Sequence, residues 1–261
     1  MEQDFNGSYG TIQRILTEDL SKKKYRKIKV QMLTKEQKAK RKTICTWMRK
    51  HLKSQDVHKL LYTDEKYFTE NGFFNPKNDG VWADSREHAN EIGGLHETKK
   101  YPIKVMVALG ATWNGLTEPY FFNEGERLNS KSYRKVLSFY KSEGNRLFKN
   151  DNWIFQQDGA PCHTSDKSQE WCQNNLNDFL SKERWPPNSP DLNPLDYSIW
   201  SEISKNINYK KVNNRNNLIE EIKKSVMQIG QNYAREVIGS FLRRVYAVEK
   251  ANGGHIINKF K

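Results

Sequence analysis

The sequence predicts an α/β fold, a mixed sheet with helices on its faces. Three observations predict it. Apolar and aromatic runs of strand length recur from Lys59 onward, and runs with a helical period of 3.6 follow them. The dipeptide Asn114-Gly115 is a hairpin signal between two of the strand-like runs, so at least one strand pair is antiparallel. Consecutive strands with a hairpin, then helix–strand–helix, describe a mixed sheet.

Composition bounds what such a fold can do. The chain has 261 residues, of which 36% are hydrophobic and 29% charged, and its 12 Phe, 12 Tyr and 7 Trp exclude a disordered chain, which is aromatic-poor. Lys and Arg outnumber Asp and Glu by 44 to 31, a formal net charge of +13 that suits a polyanionic partner, nucleic acid before an anionic membrane. No apolar run approaches the roughly 18 residues of a membrane span, and the first residues, MEQDFNGSYG, hold no apolar signal region. Cys45, Cys162 and Cys172 make no disulfide framework and fit a reducing compartment. Cys162, His163 and Cys172 lack a paired zinc spacing, which leaves packing roles for the thiols.

Residues 1–56 form a basic segment almost free of strand signals, set apart from residues 57–261. A short helix is expected over residues 10–20, with Ile12, Ile15 and Leu16 on one face. Lys22, Lys23, Lys24, Arg26 and Lys27 then read as a basic linker able to lie along phosphates. Thr34 and Gln37 have the spacing of a capping box and should start a second helix. Its polar beginning carries Lys40, Arg41 and Lys42, read as DNA contacts, and with Lys38 as a nuclear import signal, a plain exposed helix face being the alternative. Ile44, Trp47 and Met48 supply its apolar stripe.

From Lys59 the strand signals begin. Leu60, Leu61, Tyr62 and Thr63 lead into Asp64 on a central strand, and Val81-Trp82-Ala83 suggests a further short one. Residues 84–100 have no clear period and read as loop. Residues 103–113 form a strand rich in Val and Ala, and residues 119–123 its return after the hairpin. A helix spans residues 130–148, where Tyr133, Val136, Leu137 and Tyr140 fall at i, i+3, i+4 and i+7. Trp153, Ile154 and Phe155 form a buried strand leading to Asp158, followed by a helix over residues 166–175 and a last short strand over residues 178–183. Two helices are expected to finish the chain, one on Leu218, Ile219, Ile222, Val226 and Ile229, the other on Ala234, Val237, Ile238, Phe241, Leu242 and Val245.

Three carboxylates stand out. Asp64 lies on a strand, and Asp158 sits where a strand leaves the sheet, a favoured place for binding groups in open α/β sheets. Asp196 falls in the first turn of a helix whose start is marked by Asn193 as cap and Pro194 at the first position. Each has a plain structural reading too: Asp158-Gly159 is a turn dipeptide, and a first-turn acid complements the helix dipole. Asp191, in Ser-Pro-Asp-Leu, competes for the third place. Together, three carboxylates suit hard divalent cations such as Mg²⁺, which prefer oxygen ligands. Two ions about 4 Å apart can hold both the attacking and the leaving oxygen of a phosphodiester displacement.

The segments TDEKYF around Asp64, KVMVALGATWNG around Met106, NWIFQQDGAPCHT around Asp158 and NSPDLNPLDYSIW around Asp196 resemble transposases of the mariner superfamily. The resemblance covers residues 59–200 strongly and the C-terminal helices loosely. It implies an RNase H-like five-stranded fold, an Asp-Asp-Asp triad of Asp64, Asp158 and Asp196, and two Mg²⁺ or Mn²⁺ ions per active site. It further implies cut-and-paste strand cleavage and transfer on double-stranded DNA, transposon ends and target alike, in the nucleus. The acids are separated by 93 and then 37 residues, the longer second interval within the superfamily. Asn-Pro-Leu-Asp puts Asp196 where the family's third acid falls, and His163 near the scissile phosphate, or else as a cap for the next helix. Trp185, Pro186 and Pro187 match the stiff turn before that acid. The family begins with two helix-turn-helix modules, whereas here residues 8–20 resemble only the last helix of the second. Residues 1–56 are therefore expected to be a remnant of that region, and the chain to be shortened at its N-terminus. The family's aromatic-proline interdomain motif is not found, so a homodimer is expected from family habit alone. The competing expectation is a non-catalytic, DNA-binding descendant of a transposase.

Overall fold

The computed structural model describes residues 8–23, 30–72, 80–95 and 97–256. Lys24, Arg26 and Lys27 of the basic linker lie outside the described residues. The chain divides into two compact units between Met32 and Leu33. The second helix, grouped by sequence with residues 1–56, therefore packs within the larger unit.

The small unit holds helix α1 (Tyr9–Arg14), capped by the Ser8 hydroxyl and prolonged by a π-helical turn, Ile15–Asp19. Ile15 and Leu16 remain substantially exposed. In the larger unit α2 (Lys35–His51) begins at the expected capping box: Thr34 N–H donates to Gln37 Oε1 at 2.9 Å and Gln37 N–H to Thr34 Oγ1 at 3.2 Å. After the short α3 (Ser54–Val57) comes β1 (Leu60–Thr69), the axis of the sheet. It pairs antiparallel with β2 (Lys104–Thr112), from Tyr62 opposite Ala111 to Thr69 opposite Lys104, and parallel with β5 (Ile154–Gln156). Two short strands, β3 (Gly115–Leu116) and β4 (Tyr120–Phe121), both pair with β2 and complete a mixed five-stranded sheet.

Because side chains alternate along a strand, β1 feeds two cores. Leu60, Tyr62 and Phe68 face one cluster, with α2 and the C-terminal helices; Leu61 faces the other, with α5 (Ser130–Leu147) and α7 (Asp166–Asn175). Consecutive residues Asp64 and Glu65 thus belong to opposite faces. Between β5 and α7 lies a single turn, α6 (Pro161–Thr164). The third acid arrives on a π-helical turn, Leu195–Ile199, that continues into α8 (Trp200–Asn206).

Several expectations change. Residues 81–83 form no strand, and Trp82 stands 98% exposed. The expected loop after them contains α4 (Arg86–Glu91), started by Ser85, whose hydroxyl accepts from His88 N–H. The returning strand is split because Thr117 turns its own hydroxyl to Gly110 N–H at 2.8 Å, and because Pro119 brings no N–H of its own. The strand expected over residues 178–183 shrinks to one bridge, Phe179 to Phe155. After α9 (Arg215–Met227), the final helical stripe is two helices, α10 (Gln231–Gly239) and α11 (Phe241–Lys250), separated at Ser240, whose hydroxyl bonds back to Val237 O. The largest correction is Arg41: it is no DNA contact but a fully buried side chain. An arginine can be there because every N–H finds an acceptor, as described below.

Cys45 and Cys172 are both fully buried, and burial pushes each thiol up to about 12. Cys162, on α6, is half-buried. Iodoacetamide at neutral pH is expected to label Cys162 alone in the folded protein and all three after unfolding. Equal labelling rates for the three in native buffer, read by mass spectrometry, would contradict this core.

Candidate active site

Asp64 lies mid-strand on β1, opposite Leu109 of β2, with its carboxylate on the α8 side. Its Oδ2 accepts from Trp200 Nε1 at 2.6 Å. Trp200 stands four residues beyond Asp196, so one helix start supplies both the third acid and the donor that orients the first. That start is tied to β1 directly. Asn193, 2% exposed, donates from Nδ2 to Thr63 O at 3.0 Å and accepts Leu195 N–H on Oδ1 at 3.1 Å. The cap expected at Asn193 therefore also clamps the chain beside Asp64.

Asp158 follows β5, which is held on β1 by Thr63 Oγ1–H to Gln156 O at 2.7 Å. The Asp158 Oδ1 accepts Ala160 N–H at 2.9 Å and His163 Nδ1 at 2.5 Å. The turn reading of Asp158-Gly159 is thus correct as far as it goes: the side chain does shape the turn, and it still faces the site. The α6 turn is fixed by Gln157 and Gln169, which both donate to His163 O.

The electrostatics record how the acids crowd. Burial, then the Asp196 and Glu65 charges, raise Asp64 far above the usual carboxylate range. Asp196 is raised by burial and by Asp158, offset in part by its hydrogen bond with Asp64. Asp158 goes the other way: burial opposes ionisation, but the His163 hydrogen bond and charge hold it below its ordinary value. Lys66 on β1 has its ammonium lowered by burial, against the pull of Asp196 and Asp64.

Sequence reasoning brought together Asp64, Asp158 and Asp196 and placed His163 near the second acid. It missed the layer beneath. His163, 3% exposed, packs against Tyr133 with ring centroids 4.1 Å apart and planes tilted by 34°, and its Nε2 lies 3.2 Å from Glu65 Oε2. Burial alone would lower this imidazole, yet Glu65 and the bond to Asp158 raise it well above its ordinary value. The signal for Glu65 was available in strand alternation: a polar Thr-Asp-Glu-Lys run on a central strand must bury charge on both faces. Among the basic residues, Lys22, Lys23, Lys40 and Lys42 are exposed as expected; Lys42 Nζ also bonds Asn252 Oδ1 at 2.9 Å. Asp191 is engaged by Arg41.

The donor set is chemically suited to a hard cation: carboxylate oxygens, crowded so that their charge is penalised without one. Among the described residues no three His, Cys, Asp or Glu side chains are drawn in closely enough to ligate one ion. Both hydrogen bonds to Asp158 fall on Oδ1, which turns that oxygen toward His163.

No protein-family model matches the chain. In sequence it is similar to the Transposable element Tcb1 transposase of Caenorhabditis briggsae, 30% identical over 102 residues, which is 39% of this chain and 36% of that protein. It is 32% identical over 101 residues to the Transposable element Tc1 transposase of Caenorhabditis elegans, again 39% of this chain and 36% of the relative. A Tc3 transposase of the same organism matches at 29% over 154 residues, 40% of its length. The matched part thus spans well under half of these relatives. In structure, the chain superposes on the Mos1 mariner paired end complex with Mn at a TM-score of 0.79 and 18% identity, covering 97% of this chain and 72% of that one. The catalytic domain of Mos1 mariner transposase is covered completely, with 88% of this chain, at a TM-score of 0.66 and 16% identity. The chain thus has the RNase H-like fold of the Mos1 catalytic domain and is similar in sequence, over part of its length, to Tc1-type transposases.

Proposed function

We propose that this chain is the catalytic core of a DNA transposase that cuts and rejoins double-stranded DNA with divalent metal. The carrying observation is geometric: Trp200, four residues beyond Asp196, donates to Asp64 on β1 at 2.6 Å, and Thr63, next to Asp64, donates to the carbonyl of Gln156, two residues before Asp158, at 2.7 Å. Asp64, Asp158 and Asp196 would hold Mg²⁺ or Mn²⁺, two ions in the family pattern, with 37 residues between the second and third acids. When bound, the ions lower the pKa of the attacking water or 3′-hydroxyl and stabilise the leaving 3′-oxygen. The protein's own contribution is placement. Trp200 orients Asp64, Asn193 sets the height of the Asp196 turn against β1, and His163, backed by Glu65, fixes Asp158. Lys66 and the wider basic surface offset the phosphate's repulsion from the acids.

Support for DNA as substrate comes from the relatives, all transposases, and from Mos1 structures that are complexes with transposon-end DNA. Mos1 structures hold Mn or Mg. Lys22, Lys23, Lys40 and Lys42 are offered as phosphate contacts. The expectations of a working homodimer and of a nuclear location belong to this reading.

The test is nicking of supercoiled plasmid by the purified chain. Activity is expected with Mg²⁺ or Mn²⁺, abolished by EDTA and absent in Asp158→Asn, while both proteins retain DNA in a salt-sensitive way. Equal nicking by Asp158→Asn would mean a contaminating nuclease. No nicking by either protein, with retention intact, would leave a DNA-binding descendant in its place.

A further inference from the structure

The basic face of α2 hides one side chain that points the other way. Arg41 is fully buried and spends its guanidinium on two separate stretches of chain. Its Nε donates to Gly253 O at 2.8 Å; Nη1 donates to Asn188 O at 2.8 Å and to Ser189 Oγ at 2.5 Å; Nη2 pairs with Asp191 Oδ2 at 2.8 Å and reaches Gly254 O at 3.4 Å. The turn at Gly253 is shaped for this approach: its φ is +78°, and a Cβ there would lie 1.9 Å from Lys38 O.

The loop of residues 187–193 is the one Arg41 grips hardest, and it is the loop that delivers the third acid. Asn188 holds a left-handed φ of +49°. Asn adopts this conformation more readily than other residues with a side chain. Here the Asn188 carbonyl is the one that Arg41 takes. Two residues beyond Asp191, Asn193 bonds Thr63 O beside Asp64, and three further on comes Asp196. Arg244 Nη1 adds a bond to Asp191 O at 3.2 Å.

Stability alone does not explain the arrangement. Removing two charges from water costs as much as their attraction returns, and apolar replacements of similar volume are often as stable or more so. What an Arg fork supplies and an apolar side chain does not is a fixed direction for several acceptors at once. We propose that Arg41 is a positioning residue for the metal site, holding the loop of residues 187–193 so that Asn193 and Asp196 meet β1 at the height of Asp64. The inference rests on the metal-site reading above. It also makes α2 part of the catalytic scaffold, with Lys40 and Lys42 on its exposed face.

The experiment is Mn²⁺ titration of the full chain, free ion followed by EPR, at a temperature well below each variant's Tm. The variants are Arg41→Lys, which keeps the charge and loses the fork, and Met48→Ala, which removes a fully buried side chain from the same face of α2. Arg41→Lys is expected to weaken Mn²⁺ binding about tenfold or more, the scale seen when a partner of a metal ligand is lost. Met48→Ala is expected to lower Tm while leaving Mn²⁺ affinity within about twofold, since the side chain it removes directs no hydrogen bond at the loop of residues 187–193. Excess Mn²⁺ should restore nicking to Arg41→Lys but not to Asp196→Asn. A folded Arg41→Lys protein with wild-type Mn²⁺ affinity overturns the inference and leaves the metal site standing. Wild-type protein that binds no Mn²⁺ overturns both. If Arg41→Lys does not fold, Ser189→Ala, which removes one acceptor only, is read by the same criterion.

Discussion

Asp196→Asn is expected to lower metal-dependent nicking about 10³-fold or more, equivalent to roughly 4 kcal/mol of transition-state stabilisation at 1.4 kcal/mol per tenfold. The substitution keeps the shape of the side chain and removes its charge, so the π-helical turn that carries it should persist. What goes is an anionic oxygen in the group that also contains Asp64 and Asp158. The comparison is Glu202→Gln. Glu202 lies on α8, ion-paired with Lys205 at 3.0 Å. It should nick at the wild-type rate. Initial rates on supercoiled plasmid at saturating Mg²⁺ check both. If Asp196→Asn kept activity within tenfold, the third acid would have to be sought elsewhere.

The second large effect has the opposite sign. Asp64→Asn, which should be as inactive as Asp196→Asn, is expected to stabilise the metal-free protein. Asp64 is raised in the folded state from 3.8 to about 8 by burial and by neighbouring carboxylates. A folded state that holds a proton which the unfolded chain releases loses stability as pH rises through that interval. The amide carries no charge, and its oxygen can still accept from Trp200 Nε1. At pH 8 the variant should therefore have the higher Tm. Below about pH 3, under the ordinary value of 3.8, both states are largely protonated and the gain should vanish. Thermal unfolding in EDTA at the two pH values decides it; a lower Tm for Asp64→Asn at pH 8 would mean the carboxylates are not crowded. Stability given up at a site is a common cost of function.

Much of this was legible before any coordinates. Thr34 and Gln37 announced the start of α2 because a capping box is a local signal, and Asn193-Pro194 announced the turn that carries Asp196 for the same reason. Tyr133, Val136, Leu137 and Tyr140 announced α5, since its buried face repeats faithfully. Long-range partnerships were not legible. Arg41 looked like one more lysine-type surface charge, because its partner Asp191 is 150 residues away and nothing near Arg41 in sequence betrays it. Glu65 was overlooked beside Asp64 because the strand turns the two side chains to opposite cores. The break between α10 and α11 was invisible because the apolar stripe from Ala234 to Val245 runs across it, and only the Gly239-Ser240 pair interrupts the backbone. Ser85 was a cap hidden in a polar stretch without period, so α4 was taken for loop.

The central claim is that Asp64, Asp158 and Asp196 share divalent metal. Crystals of the chain grown with Mn²⁺, measured near the manganese absorption edge, test it most directly. The account predicts anomalous peaks bounded by these three carboxylates, two of them when a DNA end is present and none in crystals of Asp64→Asn. Peaks confined to other acids such as Glu124 and Glu126, with the triad bare at the same Mn²⁺ concentration, would contradict it.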